Sequence, residues 1–381
     1  MKKIALTCLV VAASACTEVA PSAVNEPGID DALLRTFRKA VPKKANLSAA
    51  LPTSVGGAGA AVGDAALYPQ MAVPHVTGVN QLIGNILDTV DAVVATPPTL
   101  FNSETNEFLW GPFDNTDSPL DGDKALVFIK DNGEGAEFRY EFAFARLMSD
   151  DTATAVPVIY GAVNPDPEVE DNGSGVLLLD FEASRAFVEE NGGVTLAEGR
   201  GRFATGFARG PDETDPANTV TLVLGSFRGF SGNEDDAPTD VDHLWGNVQG
   251  ADGNKIDFVD LAIDGDVIKD TAANETLDLQ LVVFNGGLGR GEALLTGGDA
   301  GTNIGSGIEC WNAAVEQQFY EVTLTDENGT SNVLETAGDA ATGCPAPFDV
   351  SLDTLGLPTL DDVDPAILGA LQDAAENGIG G

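Results

Sequence analysis

The feature that most constrains the fold is an alternation of polar and apolar residues with a period of two, from about residue 107 to residue 335. Residues 136–148 show it clearly, because aromatic side chains recur at every second position: Phe138, Tyr140, Phe142 and Phe144. Successive side chains of a strand point to opposite faces, so this spacing predicts strands with one buried face. Turn sequences such as residues 132–135, Asn-Gly-Glu-Gly, separate the alternating segments.

These patterns predict a mainly β fold, an antiparallel meander of about ten to twelve strands. The candidate strands are residues 125–131, 136–148, 156–163, 175–181, 202–209, 219–230, 243–249, 255–263, 277–284, 290–296, 319–325 and 330–336. One open, strongly twisted sheet of this size leaves its edges exposed. We therefore expect it to close into a barrel or to fold into a sandwich.

The strongest helical pattern precedes the sheet, at residues 76–96. Apolar residues recur there with helical spacing, at Val79, Leu82, Ile83, Ile86, Leu87, Val90, Val93 and Val94. Pro97-Pro98 ends the pattern, because proline removes a hydrogen-bond donor and restricts the residue before it. Polar residues occupy the other faces and argue against a membrane span. We expect an amphipathic helix packed on the β domain.

Residues 1–16, MKKIALTCLVVAASAC, are typical of a bacterial secretory signal. Ordinary signal peptidase could cut after Ala15, or the small residues before Cys16 could form a lipobox whose cysteine becomes lipidated. The cysteine count favours the lipobox. Once Cys8 leaves with the signal, Cys310 and Cys344 can form a disulfide, and acylation accounts for Cys16. Thr17 stands where inner-membrane lipoproteins commonly have Asp, which favours the outer membrane.

We therefore divide the chain into a signal peptide (1–15), a lipidated cysteine with a flexible spacer (16–75), a helix plus β domain (76–344) and a C-terminal tail (345–381). Within the spacer, residues 28–44 could form a short helix whose basic residues either contact lipid head groups or are simply solvated. In the tail, residues 364–375 could form a helix with Pro365 at its first position.

The charge and the motifs exclude several functions. Sixty acidic residues against 19 basic ones give a net charge of −41, which argues against nucleic-acid binding. Two histidines, His75 and His243, lie far apart in sequence, and neither a G-x-S-x-G nor an H-E-x-x-H motif occurs. We predict no catalytic residue, no metal ligand and no cofactor. The acidic loops 114–123 and 233–242 are either calcium ligands or solvated loops, and neither matches the EF-hand pattern.

Several short motifs give this chain a resemblance to a group of known proteins. The chain carries Leu109-Trp110-Gly111-Pro112-Phe113 after the helix, and Gly307-Ile308-Glu309-Cys310-Trp311 before Phe319-Tyr320 and Cys344. This arrangement resembles a group of uncharacterised β-rich lipoproteins of myxobacteria and related bacteria. The resemblance implies a lipid-anchored envelope protein and supplies no activity. We expect a non-enzymatic structural or interaction role; the alternatives are a lipocalin-like barrel that binds an apolar ligand and a hydrolase with unrecognised carboxylates.

Overall fold

The structure, a computed structural model, describes residues 37, 44–48, 51–52, 61–116, 118–166, 168–169, 172–194, 199–212, 214–231, 238–268 and 273–379. Cys16 and most of the predicted helix at 28–44 therefore lie outside the described residues. The described helices are α1 (Lys44–Leu47), α2 (Leu67–Val94), α3 (Phe181–Glu190), α4 (Ala340–Gly343) and α5 (Pro365–Asn377).

Fifteen strands form one antiparallel sheet in which each strand pairs with the next along the chain. The strands are β1 (Leu100–Asn102), β2 (Glu107–Asp114), β3 (Lys124–Asp131), β4 (Tyr140–Leu147), β5 (Val156–Pro165), β6 (Gly173–Asp180), β7 (Arg200–Pro211), β8 (Thr219–Ser231), β9 (Thr239–Gln249), β10 (Lys255–Gly265), β11 (Glu275–Phe284), β12 (Gly289–Gly297), β13 (Gly301–Trp311), β14 (Gln317–Thr325) and β15 (Ser331–Gly338).

The predicted mainly β meander with a packed helix before it is confirmed, and all twelve candidate segments are strands. The sequence did not predict β1, β2 and β13. Gly111-Pro112 interrupts the alternation of β2, and glycines replace alternate side chains of β13. One of these, Gly307, leaves room for the ring of Tyr68, which a Cβ atom would meet. Close packing of the helix on the strand therefore hides the pattern.

The sheet is not closed into a barrel. In the described chain its edge strands, β1 and β15, pair only with β2 and β14. The first edge strand, β1, has only three residues and so offers few free backbone groups to another strand. A bulge at Leu334 protects the second, where Val333 and Glu335 are opposite consecutive residues of β14. Short and bulged edge strands hinder further strand pairing, so an open sheet of this size needs no closure.

Helix α2 lies across the strands on one face of the sheet, which we call the inner face. Its first turn contacts β13, where Glu309 accepts the N–H of Tyr68, and its middle contacts β9 through His75. Just beyond its end, the carbonyl of Thr96 accepts the indole N–H of Trp110 on β2. One apolar cluster joins the helix to nearly every strand, so the inner face is the main core.

The helix begins at Leu67 and not at Val76, which corrects the predicted end of the spacer at residue 75. Pro74 lies inside the helix and obscured its start, because proline is unfavourable in a helix interior. Earlier residues also pack into the core. Phe37 and Leu47 are buried, and the ring of Phe37 lies 5.4 Å from that of Tyr140. The described parts of the predicted spacer thus belong to the folded body.

The chain ends on the opposite, outer face of the sheet. Residues 345–379, which we call the C-terminal strap, cross strands β6 to β12 there. Helix α5 begins at Pro365 as predicted, with the Asp364 carboxylate accepting the N–H of Ala366. Phe348, Ile367 and Leu371 are buried in a second apolar cluster with outer-face side chains. The strap, which covers most of the predicted C-terminal tail, is therefore a packed layer on the sheet.

Candidate functional site

The two histidines of the chain meet between helix α2 and the sheet. His75 on α2 and His243 on β9 are separated by 168 residues, and Nε2 of His75 lies 3.4 Å from Nδ1 of His243. The alternation of β9 directs His243 to the inner face together with Val241 and Trp245, which belong to the main core. Sequence reasoning assigned His75 to a spacer and His243 to a strand end, so it did not bring them together.

Aromatic side chains enclose the pair. The ring of His75 lies 5.5 Å from that of Phe227, and the ring of His243 stacks on Phe203 at 5.9 Å. His243 is completely buried, and its Nε2 has no hydrogen-bond partner among the described atoms. One ring nitrogen therefore stays unsatisfied whichever tautomer is present, which is a free-energy cost of the fold.

Burial keeps both rings neutral. It lowers the pKa of His75 to about 4. Burial, followed by repulsion from His75, holds the pKa of His243 well below its ordinary value. Charging either ring would place an ion in an apolar site without a counter-ion, so the neutral form is favoured.

The pair has the spacing of two metal ligands but not a complete set. Two nitrogens bound to a tetrahedral zinc ion at about 2.0–2.1 Å lie about 3.4 Å apart. Such an ion needs further protein ligands, and no group of three or more His, Cys, Asp or Glu side chains is gathered within the described ranges. The pair by itself is therefore a buried contact between helix and sheet.

Among the described residues, neither acid that neighbours His243 in sequence contacts its ring. Asp242, its neighbour in sequence, points to the outer face, where it binds Arg228 at 2.9 Å and the side-chain amide of Gln372 at 2.8 Å. Asp240 accepts the backbone N–H of Gly229 at 2.7 Å. Both acids that could have oriented the imidazole are committed elsewhere, since strand alternation separates them from the inner face.

The other predicted site residues have separate positions. Cys310 at the end of β13 is joined by a disulfide to Cys344, at the base of the strap, with Cα atoms 5.4 Å apart. In the acidic loop 114–123, Asp123 is buried and pairs with Arg146 at 2.7 Å, which makes it a structural ion pair. The loop 233–242 lies partly outside the described residues.

Sequence reasoning missed the role of Glu309. The N-cap residue of α2, Ala66, offers no side-chain acceptor. The buried carboxylate of Glu309 accepts the N–H groups of Leu67 and Tyr68 instead, at 2.8 and 2.7 Å. Burial raises the pKa of Glu309 to about 7, and the two N–H groups oppose that rise. A carboxylate at a helix N-terminus satisfies free N–H groups and favours the helix dipole.

Little space remains between α2 and strands β4 to β8. The enclosed apolar cavity there has a volume of about 20 Å³, and Leu47, Ile83, Leu87, Phe142, Phe207 and Val223 are among the residues that line it. That volume admits about one water molecule, for which the apolar wall offers few hydrogen bonds.

Acid is expected to destabilise the fold through the histidine pair. An unfolded histidine binds a proton near pH 6.5, whereas folded His75 does so only near pH 4. The unfolded state therefore binds more protons in that interval, and this contribution to stability falls as the pH drops from about 6.5 to about 4. Urea unfolding of wild type and of His75→Gln across this range isolates the effect, because all carboxylates are common to both. Parallel stability curves for the two proteins would contradict it.

No protein-family model, no curated protein and no solved structure matches this chain. None of the described helices combines the length and the hydropathy that a bilayer span requires.

Proposed function

We propose that this chain is an exported bacterial lipoprotein, anchored by lipid on Cys16 in the outer membrane, with a non-enzymatic structural or interaction role in the cell envelope. The observation that carries the proposal is the sequence of residues 1–16, in which Lys2 and Lys3 precede a short apolar stretch and small residues precede Cys16. Acyl chains on one cysteine would anchor the protein, since each buried methylene contributes about 0.8 kcal/mol.

The filled inner face supports an interaction role over the carrier alternative. A carrier of an apolar ligand needs an empty apolar cavity, typically of about 300–1,000 Å³. In the described chain, helix α2 lies where a ligand would bind, and the enclosed cavity beside it measures about 20 Å³. An interaction role would use the surface of the protein, which is negative because 60 acidic residues stand against 19 basic ones.

Replacing Cys16 with serine is expected to move the protein from the membrane fraction to the soluble fraction, because serine cannot be lipidated. The matched control is Cys8→Ser, the same substitution within the predicted signal peptide, which should leave the protein in membranes. Fractionation and immunoblotting measure the distribution, and the intact mass of the purified wild type reports acyl groups. A Cys16→Ser protein that fractionates with membranes as fully as wild type would refute lipid anchoring.

The soluble Cys16→Ser protein also separates the interaction role from the carrier alternative. Because it has no covalent lipid, any lipid in its organic extract is bound non-covalently. We expect no stoichiometric lipid or pigment in that extract by mass spectrometry. One mole of apolar ligand per mole of protein would make the carrier the better proposal.

A further inference from the structure

The C-terminal strap is fastened to the sheet at both ends by arginine side chains. At its start, the Arg290 guanidinium donates to the carbonyl of Phe348 at 3.0 Å, and at its end Arg202 donates to the carbonyl of Glu376 at 2.8 Å. Leu352 N–H is held nearby by Glu292 at 3.0 Å. Buried apolar residues of α5, Ile367 and Leu371, strengthen the second attachment.

The middle of the strap rests on carboxylates instead. Asp260 on β10 accepts the N–H of Leu360 at 2.7 Å and is itself buried, with 6% of its surface exposed. Asp278 on β11 and Asp353 and Asp361 of the strap act electrostatically on Asp260. The residues opposite Asp260 on the neighbouring strands, Leu244 and Gln280, are uncharged. The three charged groups that raise the pKa of this carboxyl are therefore all negative.

The strap cannot supply a counter-ion. The sequence contains no Lys, Arg or His after Arg290, whereas residues 345–379 contain seven acids: Asp349, Asp353, Asp361, Asp362, Asp364, Asp373 and Glu376. Elsewhere on the outer face the sheet does provide cations, as for Asp242, which is paired with Arg228. The contact at Asp260 is thus the point where a negative segment meets a buried negative group.

This environment raises the pKa of two carboxyl groups of the sheet, Asp260 and Asp278. Burial, and then repulsion from Asp278, Asp361 and Asp353, raises the pKa of Asp260 to about 6, against the opposing N–H of Leu360. Burial and repulsion from Asp361 also raise the pKa of Asp278. A carboxyl whose pKa is raised by docking favours the docked state at low pH, and this preference is lost as the pH rises through about 6.

We propose that the C-terminal strap is an acid-tightened cover of the outer face: protonation of Asp260 fastens residues 352–362 to the sheet, and ionisation loosens them while the arginine contacts at Phe348 and Glu376 stay in place. Loosening would uncover outer-face apolar side chains such as Phe258 and Val282, which share a cluster with Leu355, Leu357 and Leu360 of the strap. The structure thereby links the pH of the compartment to how much apolar surface this face presents.

Hydrogen exchange of the mature protein, followed by mass spectrometry at pH 5.0 and pH 7.5 and corrected for intrinsic rates, tests this directly. A shift of the Asp260 pKa from 3.8 to about 6 makes docking about tenfold weaker at pH 7.5 than at pH 5.0. We expect the protection of residues 352–362 to fall by that factor, whereas that of core strand β8 should not fall, because the histidine contact on the inner face is more stable at pH 7.5 than at pH 5.0. Equal protection of 352–362 at both pH values, or an equal fall in β8, would overturn the proposal.

Three variants identify the responsible group. Asp260→Asn keeps an oxygen that accepts the Leu360 N–H, so residues 352–362 should stay as protected at pH 7.5 as at pH 5.0. Asp361→Asn, at an exposed position of the strap, removes one repelling charge and should reduce the pH effect even if Asp260→Asn does not fold. Asp373→Asn removes an exposed strap charge away from Asp260 and should leave the tenfold change intact. A full pH effect in Asp260→Asn or in Asp361→Asn, or its loss in Asp373→Asn, would contradict the mechanism.

Discussion

Replacing Leu87 with alanine is expected to lower the free energy of unfolding by about 2–5 kcal/mol. Leu87 lies in the C-terminal half of helix α2 with 6% of its surface exposed, and it already borders the small cavity beside the sheet. Truncation therefore removes buried methyl groups and enlarges an existing void, and both effects destabilise the folded state. The helix also depends on this burial, because isolated helices are marginal in water.

Urea unfolding monitored by tryptophan fluorescence measures this change. Met71→Ala is the matched control, since Met71 lies on the same helix with 40% of its surface exposed and should cost less than about 0.5 kcal/mol. A change of only a few tenths of a kcal/mol for Leu87→Ala would mean that α2 is not docked on the sheet in solution.

Removing the disulfide with Cys310→Ala and Cys344→Ala together is expected to destabilise the fold by about 3–4 kcal/mol, as the chain-entropy model gives for a closed loop of this size. The two cysteines are 34 residues apart in sequence, and both are buried, at 0% and 2% exposure. The bridge ties β13 to the base of the strap, so its loss frees the unfolded chain and removes one attachment of the outer layer.

Denaturant midpoints of the oxidised wild type and the double variant give the difference. Wild type that is reduced while unfolded and then refolded with reductant is the control, and its midpoint should approach that of the variant. Thiol counting on unreduced, denatured protein should find no free thiol at these positions. Two alkylatable thiols there, or identical midpoints for all three samples, would contradict a structural disulfide.

Local spacing predicted the regular parts of this fold well. In β4, Phe142 and Phe144 alternate with smaller or polar residues. A strand is the regular structure that places such aromatic side chains together on one buried face. The pattern failed where a distant residue decides the local structure. The apolar pattern begins at residue 76, yet Glu309 stabilises a start at Leu67 from a position 242 residues away.

The candidate site was beyond sequence reasoning for the same reason. Nothing local to His75 or His243 indicates that they touch, because the contact depends on the direction in which α2 crosses the sheet. The position of Asp260 beneath the strap likewise follows from packing between segments 100 residues apart. Alternation shows which residues of a strand share a face of the sheet. It does not show whether a helix or the strap covers that face.

The two buried titrating contacts respond to acid in opposite directions. Protonation weakens the histidine contact on the inner face, where burial lowers the pKa of His75 to about 4. It strengthens the carboxylate contact on the outer face, where the pKa of Asp260 is about 6. Between those values the strap is expected to hold firmly, whereas the contribution of the histidine contact to stability is already falling, so moderate acid tightens the outer face while it weakens the inner one.

The capping of α2 by Glu309 also sets the order in which the chain can fold. A chain that emerges from a ribosome or a translocation channel with residue 1 first presents α2 before any strand of the sheet, and β13, which carries Glu309, among the last. Until then the first turn of the helix has free N–H groups. The first turn of α2 can therefore be capped only when most of the polypeptide has emerged.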